Sequence, residues 1–181
     1  INAHPDAVVL VATIRSLKYH GGMPKENIAK ESIYYLEKGM NNLYKHIHNL
    51  KEVYGLNVVV AINRFSADTN KEISFLEEKL NKIYVDYAVT DGYSLGSDGS
   101  IELARKVLDN INKPNNFNYA YDINDSIKEK IYKVSTKIYG AKDVEYSETA
   151  LEKLSLLEEK YNKVPICIAK TQYSLSDDPQ N

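Results

Sequence analysis

The sequence predicts an α/β fold, a mostly parallel sheet flanked by helices, and three observations carry that prediction. Ala7–Thr13 and Asn57–Ile62 are continuous apolar runs rich in β-branched residues, the pattern of strands buried on both faces. Between and after them, apolar residues recur at alternating steps of three and four, the period of a helix with one buried stripe. The two patterns alternate along the chain as β-α-β-α-β-α, which implies parallel strands joined by right-handed crossovers.

Taken in order, Ala7–Thr13 is the first strand and Gly21-Gly22 the turn that follows it. Ile33, Leu36, Met40, Leu43, Ile47 and Leu50 then form the stripe of a long core helix; too few heptads are present to favour a coiled coil. After the second strand, Thr69 and Glu72 form a T-x-x-E capping box, with Ile73, Leu76, Leu80 and Ile83 as the buried face of its helix. Tyr84–Val89 reads as a third strand, and residues 91–100 as a Gly/Ser/Asp loop in which Asp98 can cap the next helix. Ile101, Ala104, Leu108 and Ile111 mark the buried stripe of that helix. Lys113-Pro-Asn-Asn116 is a breaker, dividing a β-α-β-α-β-α segment (1–112) from a helical segment with a final strand (113–181). The second segment is expected to hold helices near Ser126–Tyr139 and Glu148–Tyr161 and a strand at Val164–Ala169.

Composition narrows the function. Of 181 residues, 43% are hydrophobic and 27% charged, with a formal net charge of −2, as expected of a soluble globular domain. The basic residues are dispersed, so no concentrated footprint for nucleic acid is present. No apolar run is long enough to span a bilayer, and no signal peptide opens the chain. The single cysteine, Cys167, sits in an apolar run and reads as a small core residue; together these features fit the cytoplasm. The chain opens on Ile1 without a Met and closes in a polar stretch, so it is expected to be an internal piece of a longer polypeptide.

In open parallel sheets ligands bind beyond the carboxyl ends of the strands, and here each strand is followed by polar residues at that end. The first delivers Thr13, Arg15, Lys18 and His20 towards Gly21-Gly22, where two cations beside flexible backbone suit a phosphate or carboxylate, or simply a solvated turn. The second ends in Asn63-Arg64-Phe65: the Asn63 amide offers both a donor and an acceptor to a flat ring, and Phe65 is either a stacking surface or a loop anchor. The third leads into Gly92–Gly99, where Tyr93 can stack on a planar ligand or, in a chain with 15 tyrosines, be incidental. The last delivers Lys170, Thr171 and Ser174, a nucleotide-contacting loop or a surface turn. GxxxxGK[ST] and GxGxxG are both absent. His46 and His48 have no partner ligand at suitable spacing, so no metal site and no catalytic dyad or triad is expected.

Val11–Gly22, VATIRSLKYHGG, resembles the signature V-A-T-[IV]-R-A-L-K-x-H-G-G of formate–tetrahydrofolate ligases, departing only by Ser16 in place of Ala. Leu56–Thr69 resembles the family's N-R-F-P-T-D-T segment, and Tyr139–Lys142 and Pro165–Ser174 resemble further segments, in unbroken order from about Pro5 to Asp178. The resemblance implies a ligase that uses ATP, with Mg²⁺, to join formate to tetrahydrofolate through formyl phosphate. It implies a P-loop-NTPase-like architecture whose phosphate loop lies outside this chain. It also implies that the pterin is sandwiched at the positions of Phe65 and Tyr93. From their places at the strand ends, Asn63, Arg15 and Lys18 are expected around the substrate and Lys170, Thr171 and Ser174 near the nucleotide. Tyr93 stands where the family has Trp, and Ser66 where it commonly has Pro. The expected partners are these small molecules and the remainder of the parent chain, with a homo-oligomer left open. No cofactor is expected to be held tightly, and the piece is expected to be inactive alone. The alternatives are a non-catalytic folate- or nucleotide-binding module and an unrelated parallel-sheet NTPase.

Overall fold

The computed structural model describes residues 4–169 and divides the chain into two compact units that meet between Phe117 and Asn118. The first unit is built on a three-stranded parallel sheet, β1 (Val8–Ala12), β2 (Val58–Asn63) and β3 (Asp86–Thr90), in that order. Register runs Val9↔Val59↔Asp86 and Val11↔Ala61↔Ala88, so these side chains share one face of the sheet. Leu10, Ala12, Val60, Ile62, Tyr87 and Val89 share the other. That second face packs against α1 (Ile14–His20), α2 (Ile33–His48) and α3 (Asn70–Lys82), whose Leu17, Leu36, Met40, Leu43, Ile47, Ile73, Leu76 and Leu80 complete the core. β2 is buried along almost its whole length, which explains why its run carries no polar alternation.

Local chemistry sets the element boundaries. Thr13 caps α1 by accepting the Ser16 N–H at 3.0 Å, while the Ser16 hydroxyl donates back to the Thr13 carbonyl at 3.0 Å. The segment expected to lead directly into a Gly-Gly turn is therefore a two-turn helix, and its Gly21 does packing work. A Cβ on Gly21 would lie 1.9 Å from the Tyr35 carbonyl oxygen, and one on Gly39 1.8 Å from that of Leu17. The two glycines thus let α1 and α2 cross with their backbones in contact. The Thr69–Glu72 capping box forms as expected and starts α3.

Between β3 and α5 (Ile101–Ile111) the chain is not an open loop. It forms a short helix, α4 (Gly92–Leu95), capped by Asp91, and then a 3-10 turn over Gly96–Ser100. Asp98 does not cap α5: its N-cap is Ser100, which makes no side-chain cap bond. The stripe of α5 is also not the expected one. Ile101, Ala104, Leu108 and Ile111 face outward, and the inward side carries Asn110, which donates to the Asp86 carboxylate at 3.0 Å. Lys113 pairs with the same carboxylate at 2.6 Å. Asp86 is a polar residue in a strand position, and satisfying it fixes which side of α5 meets the sheet.

Residues 113–117 are stitched to the first unit, with Asn57 donating to the Lys113 carbonyl at 3.1 Å and Asn116 to that of Gly55 at 3.1 Å. The second unit holds α6 (Ile127–Lys133), a π-helical continuation over Val134–Tyr139 ended by left-handed Gly140, and α7 (Glu148–Tyr161). Lys130 is buried there, its ammonium donating to the Asn162 and Val164 carbonyls. The strand expected at Val164–Ala169 does not form. The second unit contains no other strand among its described residues, so the segment has no ladder to join. Cys167, expected in the core, is exposed on it.

Candidate functional site

The carboxyl ends of β1, β2 and β3 lie side by side, because the strands are parallel and in register to their last residues. Asn63 closes β2 opposite Thr90 of β3, and the Arg64 N–H donates to the Thr90 carbonyl at 2.9 Å, so the two exit loops start from one fixed point. Phe65 follows on the β2 loop, half exposed, and Tyr93 follows on the β3 loop, fully exposed on α4. The Asn63 side chain, half-buried, makes no hydrogen bond among the described residues. It is therefore free to meet a ligand with its donor or its acceptor.

Arg15 comes to this group from the first turn of α1. Its guanidinium carbon stands 4.6 Å from the centre of the Phe65 ring, a cation–π contact, and its buried Nε has no hydrogen-bond partner. Phe65 is thereby contacted by Arg15 while remaining 38% exposed. Asp68 holds the ring from the backbone side: its Oδ2 accepts the Phe65 N–H at 2.8 Å, and its own N–H donates to the Phe65 carbonyl at 3.0 Å. Burial pushes the Asp68 carboxyl above its usual range, and the negative charge of Glu72 adds to that. The Phe65 N–H and the positive charges of Lys18 and Arg15 pull the other way.

Lys18 does not join this group. It is 1% exposed, and its ammonium donates to Glu72 Oε1 at 2.8 Å and to the Lys30 carbonyl at 2.8 Å. The expected pairing of Arg15 and Lys18 as two cations for one anion is replaced by a division of labour, with Arg15 at the rim and Lys18 beneath it. Glu72 also accepts the N–H groups of Ser32 at 3.0 Å and Thr69 at 3.2 Å. Burial raises its carboxyl pKa, and the bonds from Lys18, Ser32 and Thr69 outweigh this and hold it below the usual carboxylate value. Three segments therefore meet at one carboxylate: α1 through Lys18, the start of α2 through Ser32 and the start of α3 through Thr69.

Asp68 and the second role of Glu72 escaped sequence reasoning. The capping box marked Glu72 as satisfied at its own helix, and nothing local pointed to a lysine 54 residues earlier. Asp68 carried a usable signal, a short acceptor immediately before a helix cap and three residues after an aromatic. Lys170, Thr171 and Ser174 lie outside the described residues. Among the described residues no cluster of three His, Cys, Asp or Glu side chains would hold a metal ion, and no helix is long and apolar enough to cross a membrane.

Comparison with known proteins gives a single result. The family model described as formate–tetrahydrofolate ligase matches residues 1–181. A formate–tetrahydrofolate ligase of Symbiobacterium thermophilum is 50% identical over 177 residues, covering 97% of this chain and 32% of the relative. Those of Campylobacter curvus and Campylobacter concisus are 50% and 48% identical, each over 96% of this chain and 32% of their own length. The chain thus spans about a third of the length of the curated relatives it matches. A match running the whole length of the chain, with half its residues identical in separate relatives, places it in the formate–tetrahydrofolate ligase family.

Proposed function

We propose that this chain supplies the folate pocket of a ligase that uses ATP to join formate to tetrahydrofolate, giving 10-formyltetrahydrofolate, ADP and phosphate by way of formyl phosphate. The observation that supports the pocket is the placement of Phe65 and Tyr93 on the exit loops of neighbouring parallel strands, with Arg15 covering one face of Phe65. In this reading the open face of Phe65 stacks on the pterin and Tyr93 closes over its other side. The unpaired Asn63 amide reads the ring edge. Arg15 sets the plane of Phe65, and Lys18 with Glu72 anchors the loops from below.

Lys170, Thr171 and Ser174 belong in this proposal to the nucleotide side of the full site, on a P-loop-NTPase-like sheet completed by polypeptide outside the chain. Mg²⁺ would neutralise charge developing on the transferred phosphoryl group, and no ligand for it is assigned within this chain. What the residues here contribute is orientation: a ring held flat places the folate nitrogen at one fixed point for attack on the activated formyl carbon.

Calorimetric titration of the folded chain with a tetrahydrofolate analogue tests the pocket. Saturable binding that is lost in both Phe65→Ala and Tyr93→Ala, with unfolding curves intact, is the expected result. Binding that survives both substitutions would remove the clamp. The chain by itself should form no 10-formyltetrahydrofolate from formate, ATP and tetrahydrofolate.

A further inference from the structure

The chain takes its positive charge almost wholly from lysine, with 20 Lys against 3 Arg, yet two of the three arginines stand at the carboxyl rim of the sheet. The third, Arg105, is exposed on α5 and pairs with Glu102 at 3.8 Å. Arg15 lies against the Phe65 ring. Arg64 has no such counterpart. It is half-buried between Asn63 and Phe65, and among the described residues no carboxylate lies within ion-pair distance of it. Its backbone is fixed by the N–H bond to the Thr90 carbonyl at 2.9 Å. Its side chain is fixed by one terminal nitrogen, which donates to the Asn70 Oδ1 at 3.1 Å. That bond occupies one of five guanidinium donors. The nearby lysines are already paired, Lys18 with Glu72 and Lys71 with Glu31 at 3.3 Å. A guanidinium whose charge has no counterion, held by a neutral amide and otherwise open, suits a carboxylate or phosphate bound through two parallel N–H···O bonds.

We infer that Arg64 is a substrate-binding residue whose guanidinium takes the oxygens of an anionic group, a carboxylate or a phosphoryl group, at the folate pocket. The inference rests on the folate reading of Phe65 and Tyr93 and adds to it the residue that meets the substrate's charge. Two sources supply that chemistry in the proposed reaction. Tetrahydrofolate carries the carboxylates of its glutamate, and formyl phosphate carries a phosphoryl group to the same folate nitrogen. Successive residues of an extended segment point to opposite sides, so Asn63 and Arg64 serve different parts of the ligand, the neutral amide a ring edge and the cation an anion. The Asn70 bond orients the guanidinium before any ligand arrives, which reduces the rotamer freedom lost on binding.

The test is calorimetric titration of the folded chain with three probes: tetrahydrofolate, tetrahydropteroate (the same ring system without the glutamate) and inorganic phosphate. Wild type, Arg64→Met and Arg64→Lys are compared, with unfolding curves to confirm that each variant is folded. If Arg64 holds a glutamate carboxylate, Arg64→Met weakens tetrahydrofolate binding by about tenfold or more and leaves tetrahydropteroate unchanged. If it holds the phosphoryl group, both folates bind Arg64→Met as they bind wild type, and phosphate affinity falls by a similar factor. In either case Arg64→Lys, which keeps the charge but not the fork, falls between wild type and Arg64→Met. Affinities for all three probes unchanged in Arg64→Met would overturn the inference and leave an arginine tied only to Asn70. Equal weakening of tetrahydrofolate and tetrahydropteroate would also overturn it, because the substitution would then act by disturbing the Phe65 loop. A wild type that binds neither folate removes the pterin reading instead. In that event, phosphate binding lost in Arg64→Met still supports the anion site, and no phosphate binding by wild type overturns it.

Discussion

The guanidinium of Arg15 covers one face of the Phe65 ring at 4.6 Å, and this contact joins the first turn of α1 to the exit loop of β2. Contacts of this kind contribute about 0.5–1 kcal/mol at partly exposed sites. Arg15→Ala and Phe65→Ala should therefore be non-additive by about that amount in a double-mutant cycle followed by urea denaturation. Additive losses would show that the two side chains are independent in solution.

Lys18 and Glu72 form a different kind of pair, closed to water on all sides. Removing one member of a buried ion pair leaves a charge without compensation, at a cost of about 3–5 kcal/mol. Lys18→Met should lose stability in that range. The double variant Lys18→Met/Glu72→Leu should lose less than the two single changes summed, although it still orphans the Ser32 and Thr69 N–H groups. Chemical denaturation of the three variants checks this, and a loss below about 1 kcal/mol in Lys18→Met would contradict a buried ion pair.

Two carboxyls of this region respond to acid with opposite signs. Glu72 has a lowered pKa, so its contribution is present above the ordinary carboxylate range and is lost as pH falls through its folded value. Asp68 has a raised pKa, chiefly from burial, so its protonation on acidification favours the folded state. Asp68→Asn keeps an oxygen to accept the Phe65 N–H but removes that gain. Stability measured from pH 7 downward should then fall more steeply in Asp68→Asn than in the wild type, and a parallel pair of curves would refute the assignment.

How far the sequence could be read follows from where each signal resides. β2 and the long helix α2 were legible because their patterns are local and their buried faces are apolar. The stripe of α5 was misread because Asp86, a distant polar residue, decides which side of that helix faces the sheet. Lys18 looked like a ligand contact because its counterion lies beyond two intervening elements. Val164–Ala169 has the composition of a strand, but composition cannot supply the neighbour that a strand needs. At the rim, Asn63, Phe65 and Tyr93 were legible as positions at or beyond strand ends, whereas the arrangement of Arg15 over Phe65 required the fold.

Gly39 shows the same limit in packing. A methyl group there would overlap the Leu17 carbonyl oxygen at 1.8 Å, and backbone cannot swing aside as a flexible side chain can. Gly39→Ala should cost at least about 1–3 kcal/mol, despite the better helix propensity of alanine. Thermal unfolding of that single variant is sufficient, and an unchanged or raised melting temperature would mean that α1 and α2 do not cross so closely.

Tyr93 offers the converse case, a side chain that the fold leaves fully exposed. Being fully exposed, it can be changed to Ala or Trp with stability held within about 0.5 kcal/mol. If it closes over a pterin, Tyr93→Trp adds stacking area and should tighten binding of a tetrahydrofolate analogue a few-fold, while Tyr93→Ala should weaken it by at least as much. The ordering Trp, Tyr, Ala in affinity at constant stability is the signature of a stacking surface. Equal affinities across the three would leave Phe65, backed by Arg15, as a platform without a lid.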